Sequence, residues 1–414
     1  MKTKTRWLAV SITAALMCLL WSGDALCDSI SDGHAALEAG DWKGAQKAFK
    51  KAAKASKNSV QSQWGLGLVQ IHKGDFHAAK KHCRAFSKKK PDSPWSHTCL
   101  GYAFLVWKKW GQAQQSFEKA LALDSGFALA IAGQGHALVI AVKYTQAIEK
   151  YKVALGKDPD NIEALLGLAD VYVNKKKNDE AVTLLEKAVA AHPGSSRAHV
   201  ALSRALGKGT GAIEHAIKAL DIRPDWDEGY LVLGQVYHAS GKYEKAIGAL
   251  ARAVELEPGF VQAEKLIGMC YFEQGKYDEA IAKLDEVLLK VPNLADAALV
   301  VAMSHDSLNA YEDAVDSYKT AINLDSKSPA PVMKLADLYY RMNKSTSALS
   351  TLQKAVTLRS TMSEAHKLMG DIYFENKQYK MASQSYKKAL DGDKKNLDAG
   401  FVKQRLKQLK SMGK

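Results

Sequence analysis

Residues 227–260 read DEGYLVLGQVYHASGKYEKAIGALARAVELEPGF, and residues 261–294 read VQAEKLIGMCYFEQGKYDEAIAKLDEVLLKVPNL. The second stretch repeats the pattern of the first, so that Ala246 is matched by Ala280 after 34 residues. The same alanine recurs along the chain in steps of 34, with a single step of 31, at Ala45, Ala79, Ala113, Ala147, Ala181, Ala212, Ala246, Ala280, Ala314, Ala348 and Ala382. A period of this length predicts a stack of short units, because each unit is too small to bury its apolar face without its neighbours.

A second small residue precedes this alanine by twelve positions in ten of the eleven copies. These residues are Gly33, Gly67, Gly101, Gly135, Ala169, Gly234, Gly268, Ala302, Ala336 and Gly370. In the shortened sixth copy Ser203 has this place, nine residues before Ala212. Helices that cross closely need small side chains where their axes meet. The paired small residues therefore predict two packed helices in every copy.

Aromatic residues, glycine and proline divide each copy further. In the copy at 227–260, Tyr237 falls in the first helix, Gly241 follows that helix, Tyr243 opens the second helix and Pro258 ends it. Glycine after a helix supplies a residue in the left-handed conformation, and proline stops a helix. The pattern predicts a unit made of a helix, a glycine turn, a second helix and a proline break.

At these positions the chain resembles the tetratricopeptide repeat family, whose consensus places Trp, Leu, Gly and Tyr on helix A and Tyr, Ala, Phe or Tyr, Ala and Pro on helix B. The resemblance implies an all-α fold, namely a right-handed superhelical solenoid of about eleven helix pairs with a C-terminal capping helix. The repeats cover 26–59, 60–93, 94–127, 128–161, 162–195, 196–226, 227–260, 261–294, 295–328, 329–362 and 363–396, and the capping helix covers 397–414. The continuous repeat favours one elongated solenoid without internal linkers.

The first 25 residues differ from the repeats. Basic residues precede an apolar run at 7–21, and small or polar residues follow it. A membrane span needs about 20 apolar residues, and this run is shorter, so the pattern predicts a secretory signal cleaved after Ala25 or Cys27. We expect an exported protein of bacterial type, located in the periplasm. The alternative is an uncleaved N-terminal segment that anchors the protein in the membrane.

The formal net charge is +14, and the positive balance lies at the two ends: residues 26–160 hold 20 Lys or Arg against 11 Asp or Glu, and residues 397–414 hold 5 against 1. Many of these cations fall on or just after second helices, at Lys43, Lys47, Lys50, Lys51, Lys54, Lys57, Lys80, Lys81, Arg84, Lys88, Lys89 and Lys90. In the family the second helices form the outer wall. A basic outer wall would attract an acidic membrane surface or an acidic polysaccharide, and the alternative is a solvated face that keeps the protein soluble. We expect no nucleic-acid partner, because no nucleic-acid-binding signature is present.

Cys83 and Cys99 fall on adjacent helices of the second and third repeats. They are either a disulfide or two small buried thiols, and the sequence leaves both open. Together with His82 and His97 they suggest zinc ligands, but side chains one or two positions apart on a helix point about 100° or about 200° apart. We therefore expect no metal site. The chain also contains no catalytic or cofactor-binding motif, so we expect no cofactor and no enzymatic activity.

The family resemblance implies that the first helices line a concave groove. Transferring the groove positions to this chain gives Trp64, Leu68, Ile71, Trp95, Tyr102, Leu105, Val106, His136, Val139, Ile140, Arg197 and Arg204. Most of these residues are apolar, and contiguous exposed apolar surface is typical of a partner site. We expect an exposed apolar strip that binds a protein or peptide. The alternative is that curvature or self-association buries the strip.

These observations favour a non-enzymatic scaffold that binds polypeptide partners in its concave groove and assists assembly or secretion of a cell-envelope complex. The alternative is a basic surface adaptor on acidic lipid or polysaccharide in polymer export. The sequence does not identify the partner.

Overall fold

The computed structural model describes residues 24–56, 59–392 and 398–412. These residues form 23 helices and no strand. The predicted all-helical solenoid of helix pairs is confirmed, with eleven pairs followed by one terminal helix. Apart from Asp24 and Ala25, which begin the first helix, the predicted signal sequence lies outside the described residues. No described helix is both long enough and apolar enough to cross a membrane.

The helices divide into two compact units, residues 1–242 and residues 243–414. Unit 1 contains α1 (Asp24–Glu38), α2 (Trp42–Ala55), α3 (Val60–His72), α4 (Phe76–Lys89), α5 (Pro94–Val106), α6 (Trp110–Leu123), α7 (Ala128–Ile140), α8 (Tyr144–Lys157), α9 (Ile162–Asn174), α10 (Asn178–Ala191), α11 (Ser196–Leu206), α12 (Thr210–Ile222) and α13 (Asp227–Ala239). Unit 2 contains α14 (Tyr243–Leu256), α15 (Val261–Glu273), α16 (Tyr277–Lys290), α17 (Ala295–Ser307), α18 (Tyr311–Leu324), α19 (Pro329–Arg341), α20 (Ser345–Leu358), α21 (Ser363–Glu375), α22 (Tyr379–Asp391) and α23 (Ala399–Ser411). Odd-numbered helices up to α21 are first helices of a pair, and even-numbered helices are second helices.

The contacts within unit 1 show which helices form its inner wall. Each first helix from α3 to α11 packs against the second helix of its own pair and against the second helix of the preceding pair. Consecutive first helices also contact one another, whereas contacts between consecutive second helices are weak or absent among the described residues. The first helices therefore lie on the shorter, concave side of the stack.

Small residues allow aromatic rings of the second helices to enter between first helices. The ring of Phe117 on α6 lies between Gly101 on α5 and Gly133 on α7, and a Cβ added at either glycine would lie 2.4 Å from that ring. Tyr151 on α8 has the same place between Gly135 and Gly167. In these repeats the small residue is required by a ring that packs against its backbone, whereas at Gly67 the neighbours are the sulfur atoms of Cys83 and Cys99, and at Gly268 the neighbour is Leu284.

A residue with positive φ follows the first helix in every pair. Glycine has this place in five turns, and lysine, valine or asparagine has it in the other six: Gly40, Gly74, Lys108, Val142, Lys176, Gly207, Gly241, Gly275, Asn309, Asn343 and Lys377. Their spacing is 34 residues with one step of 31, from Lys176 to Gly207. The sixth pair is shorter because α11 has 11 residues, whereas the other first helices from α3 onward have 13, and because α12 has 13 residues, whereas the other second helices of unit 1 have 14.

A disulfide joins Cys83 on α4 to Cys99 on α5, with 5.4 Å between their Cα atoms. Of the two alternatives that the sequence left open, the structure shows the disulfide. The bond links the second repeat to the third. Among the described residues, no group of three potential metal ligands is present.

In unit 2, α23 packs against α22 at the end of the stack. Val402 and Leu409 of α23 are buried in a cluster with Ala382 and Tyr386 of α22, while Phe401 and Leu406 are half-buried at its edge. This helix covers an apolar face of α22 that would otherwise be exposed.

Candidate partner-binding chamber

The concave side of unit 1 contains a cavity of about 550 Å³, which we call the inner chamber. It is lined by residues from α1 to α11 and by Arg223, which follows α12. Its apolar lining consists chiefly of Leu37, Trp42, Trp64, Leu68, Trp95, Phe127, Leu129 and Ile162. Its charged lining consists of Glu38, Asp124, Lys157, Asp158, Asp160, Glu163, Arg197 and Arg223.

Aromatic rings from the second and third repeats form one side of the inner chamber. The ring centroids of Trp64 and Trp95 lie 5.8 Å apart, and those of Trp95 and Phe127 lie 5.0 Å apart, both in edge-to-face geometry. Such pairs are favourable beyond the apolar area that they bury. The rings therefore hold each other in place and present a firm apolar surface to the chamber.

The expectation that Trp64 and Tyr102 are exposed is wrong. Only 7% of Trp64 and 8% of Tyr102 is accessible to solvent. The Tyr102 ring packs edge-to-face against Trp64 at 5.9 Å and against Phe117 at 5.4 Å. Because consecutive first helices contact one another, large rings at matching positions fill the space between repeats, and only an edge of Trp64 borders the chamber.

The remaining predicted groove residues fall into three groups. Leu68, Trp95 and Arg197 are half-buried and line the inner chamber. Half-buried residues that do not line the chamber are Ile71, Leu105, Val106, His136 and Val139. Ile140 and Arg204 are exposed, and Arg204 forms an ion pair with Glu228 at 3.0 Å. The predicted strip is therefore not a continuous exposed surface, and its accessible part is concentrated in the chamber.

A half-buried ion pair forms the polar side of the chamber. Arg197 donates two hydrogen bonds to the Glu163 carboxylate, at 2.7 and 3.2 Å. Burial alone would raise the pKa of Glu163, but the Arg197 guanidinium outweighs it and holds this pKa well below its usual range. The same attraction raises the pKa of Arg197. Both groups are charged at neutral pH. Because Glu163 compensates the charge of Arg197, Arg197 does not offer a free positive charge to a partner.

His136 connects this ion pair to the aromatic packing. Its Nε2 lies 3.4 Å from Glu163, and its Nδ1 lies 2.9 Å from the Tyr151 hydroxyl. The imidazole also packs edge-to-face against Tyr102. Helix packing holds Tyr151 between two glycines. Tyr151 in turn positions His136, and His136 positions the Glu163 carboxylate.

The first repeat contacts the sixth repeat across the inner chamber. Ser196 at the start of α11 donates hydrogen bonds from its backbone N and its hydroxyl to Glu38 at the end of α1. The Arg223 guanidinium lies over the Trp42 ring at 5.2 Å and over the Trp226 ring at 4.8 Å. We call these contacts the clasp. They close one turn of the superhelix within unit 1 and turn its groove into a chamber.

Sequence reasoning missed the clasp residues and Glu163. The clasp joins positions 158 residues apart, and its existence depends on the rise and curvature of the stacked repeats, which no single repeat encodes. A signal for Glu163 was present: it and Arg197 have opposite charge and are separated by one period of 34 residues. Side chains at one position of consecutive repeats are neighbours on the inner wall.

The outer wall of unit 1 carries the predicted basic residues. Lys43, Lys47, Lys50, Lys51 and Lys54 on α2 are exposed, and none of them forms an ion pair with a described carboxylate. On α4, Lys81, Arg84, Lys88 and Lys89 are exposed as well. This surface has one sign of charge.

Models of the tetratricopeptide repeat match residues 138–206 and 237–303 in one form and residues 32–94 and 204–259 in another. The chain contains tetratricopeptide repeats. A model described as anaphase-promoting complex, cyclosome, subunit 3 matches residues 307–389. No curated protein matches the chain in a sequence search.

Solved structures similar to this chain include helical-repeat proteins. Yeast Tom70 is 14% identical over 94% of this chain and 96% of its own, with a TM-score of 0.49. The Cut9–Hcn1 hetero-tetramer of the APC/C is 13% identical over 96% of this chain and 99% of its own, with a TM-score of 0.46. A thermophilic TPR protein of Thermus thermophilus is 19% identical over 44% of this chain and 98% of its own, with a TM-score of 0.38.

Proposed function

We propose that this tetratricopeptide-repeat protein is an exported scaffold that binds a segment of a polypeptide partner in the inner chamber. The fold indicates a protein-interaction scaffold, and the family is generally non-enzymatic. The observation that carries the proposal is the chamber itself, with its aromatic side and about 550 Å³ of volume. Ligand pockets have this size and character, and the volume suits a few apolar side chains rather than a folded domain.

The charges around the chamber indicate which segment it favours. Five carboxylates and three Lys or Arg side chains line the chamber. Glu163 and Arg197 compensate each other's charge, which leaves four carboxylates and two cations. Of the remaining cations, Arg223 already lies between two indole rings. Asp124, Asp158 and Asp160 are exposed at the chamber. A segment with apolar side chains flanked by Lys or Arg is therefore complementary, whereas a segment flanked by Asp or Glu is not.

Two observations support an exported location in a bacterial cell envelope, where the scaffold assists assembly or secretion of a larger complex. The N-terminal 25 residues have the pattern of a secretory signal. The disulfide between Cys83 and Cys99 suits an oxidising compartment, because disulfides are rare in the reducing cytosol. N-terminal sequencing of the mature protein tests this part: a start at Leu26 or Asp28 supports export, and an intact Met1 argues for the membrane-anchored alternative.

An array of peptides from envelope proteins tests the binding proposal. We expect the bound peptides to share an apolar core with basic flanks. Their affinity for the Leu129→Arg variant should be at least tenfold lower than for the parent, because the added charge enters the chamber. Leu123→Arg is the matched control, since Leu123 is 45% exposed on α6 and does not line the chamber. Equal losses in both variants, or a preference for acidic peptides, would contradict the proposal.

A second candidate function is a basic adaptor that binds an acidic polysaccharide or acidic lipid on the outer wall. The exposed lysines of α2, unpaired with any described carboxylate, favour it. Exposed charge interactions are screened by salt, so such binding should be lost between low and moderate ionic strength. Binding in the inner chamber should survive the same change. Replacement of Lys47, Lys50 and Lys54 by Gln separates the two functions.

A further inference from the structure

Exposed apolar side chains and lysines lie on the turns between first and second helices in repeats three and four. These residues form the turn edge, which consists of Trp107, Lys108, Lys109, Trp110, Val142 and Lys143. Each of the two tryptophans is 45% exposed, and Val142 is 67% exposed. Large apolar side chains with this exposure at a turn mark a contact surface when they are grouped.

Contacts between neighbouring repeats hold the turn edge together. The Trp107 ring stacks on Phe76 of the preceding repeat at 4.2 Å between centroids. Lys80 of that repeat and Lys109 lie over Trp107, at 5.3 and 4.9 Å. Lys143 of the following repeat lies over Trp110 at 5.7 Å. The indoles are therefore fixed in orientation, and each is accompanied by an ammonium group.

The backbone at the turn edge departs from the glycine that five other turns use. Lys108 has φ of 53° and Val142 has φ of 60°, in the left-handed region that is unfavourable for side chains and especially for β-branched ones. Gly40, Gly74 and Gly207 have the same place in repeats one, two and six. Four further turns also carry a side chain at this position, at Lys176, Asn309, Asn343 and Lys377, so the strain is not confined to the turn edge. Val142 is the one β-branched residue among the six, and β-branched residues tolerate this conformation least.

The charge of the turn edge is positive and uncompensated. Lys108, Lys109 and Lys143 form no ion pair with a described carboxylate. Asp75, on the turn of repeat two, accepts a hydrogen bond from the Ala78 backbone and caps α4. On the turn of repeat five, Lys177 pairs with Glu180 at 3.1 Å, and the single-sign surface ends there.

We propose that the turn edge binds the surface of an anionic phospholipid bilayer. Tryptophan is enriched at the level of lipid headgroups, because its ring is apolar and its N–H is polar. Lysines beside it attract anionic lipid, and each one near the surface strengthens binding about fivefold. The edge is a row of protruding turns without acidic acceptors for sugar hydroxyls, which favours a bilayer over a polysaccharide. This site is separate from the inner chamber and does not depend on its function.

Sedimentation of the protein that starts at Leu26 with vesicles tests the proposal. The vesicles contain phosphatidylglycerol and phosphatidylethanolamine, or phosphatidylcholine alone. We expect binding to the anionic vesicles that falls about a hundredfold when Lys108, Lys109 and Lys143 are replaced by Gln. Replacement of Trp107 and Trp110 by Ser should lower it at least tenfold. All five side chains are exposed or on turns, and circular dichroism confirms that the variants fold.

The matched control replaces Lys47, Lys50 and Lys54 on α2 by Gln, which removes the same charge from the outer wall. We expect this variant to bind within about threefold of the parent. The Val142→Gly variant should bind vesicles less well and yet melt at a higher temperature, a combination that a purely structural role would not give. The proposal is overturned if the control loses as much as the edge variant, if phosphatidylcholine vesicles bind equally, or if polygalacturonate is bound through the turn edge and the vesicles are not.

Discussion

Glu38 and Ser196 are 158 residues apart in sequence, and three hydrogen bonds between them join the end of α1 to the start of α11. Together with Arg223, which lies between Trp42 and Trp226, they close one superhelical turn of unit 1. The inner chamber exists because of this closure. A partner segment must enter along the open ends of the chamber or after the clasp has opened.

The clasp should determine how strongly the first repeat is held. Two cation–π contacts are together worth about 1–2 kcal/mol at an accessible site. We therefore expect Arg223→Ser to speed amide hydrogen exchange in α1 and α2 about tenfold, because 1.4 kcal/mol corresponds to about a factor of ten. Exchange in α8 should stay unchanged.

Lys319→Ser supplies the control for the clasp. Lys319 makes an exposed ion pair with Asp316 at 3.0 Å within α18 of unit 2, and its loss should leave exchange in α1 and α2 as it is. If Arg223→Ser also left these helices as protected as in the parent, the clasp would not hold the first repeat.

Replacing a glycine that packs against an aromatic ring by alanine should destabilise the fold. A Cβ at Gly133 would lie 2.4 Å from Phe117, whose ring is buried between two helices and cannot move aside. Overpacking of this kind costs about 1–3 kcal/mol, so Gly133→Ala should lower the midpoint of urea unfolding. Gly111→Ala is the control, because nothing lies near an added Cβ there and Ala favours a helix by about 0.5–1 kcal/mol over Gly. Equal effects from both variants would show that Gly133 is not a packing requirement.

The disulfide should stabilise unit 1. Cys83 and Cys99 are 16 residues apart, and closing a loop of this length stabilises by about 3 kcal/mol. The double variant Cys83→Ser and Cys99→Ser, or the parent in reductant, should melt at a lower temperature. Reductant should have no further effect on the double variant. A parent that melts at the same temperature with and without reductant would contradict a structural role for this bond.

Acid should loosen the sixth repeat. Nδ1 of His199 on α11 and Nδ1 of His215 on α12 lie 3.0 Å apart. At this distance one nitrogen carries a proton and donates it to the other, so the two nitrogens are not both protonated. Burial lowers the pKa of both histidines from 6.5, and each also lies near the positive charge of Lys218. A lowered pKa gives stability that is complete above about pH 6.5 and is lost as the pH falls below it, because the unfolded chain binds the proton more readily.

Hydrogen exchange in α11 and α12 at pH 7.5 and pH 5.5, corrected for intrinsic rates, measures this effect. We expect protection to fall at the lower pH, and the His215→Asn variant to show a weaker dependence on pH. An unchanged dependence in that variant would mean that the histidine pair is not the cause.

The fold could be predicted from the sequence, and the exposure of its inner wall could not. Periodic residues such as Ala246 and Gly268 report local helix packing, which is the same in every repeat and is therefore visible in a single chain. Exposure of Trp64 and Tyr102 depends on how closely successive first helices approach, and this distance is set by the curvature between neighbouring repeats, which the repeat pattern does not encode. The clasp depends on this curvature accumulated over several repeats.

The central claim is that the inner chamber receives a segment of another protein. A photo-crosslinking amino acid at Leu129, in the protein as expressed in its own cell, is the direct test, with the same group at Leu123 as control. We expect adducts at position 129 that contain apolar, Lys- or Arg-flanked peptides of a second protein and are absent at position 123. Adducts at position 129 that join only to this chain, or adducts with a second protein at position 123 alone, would contradict it.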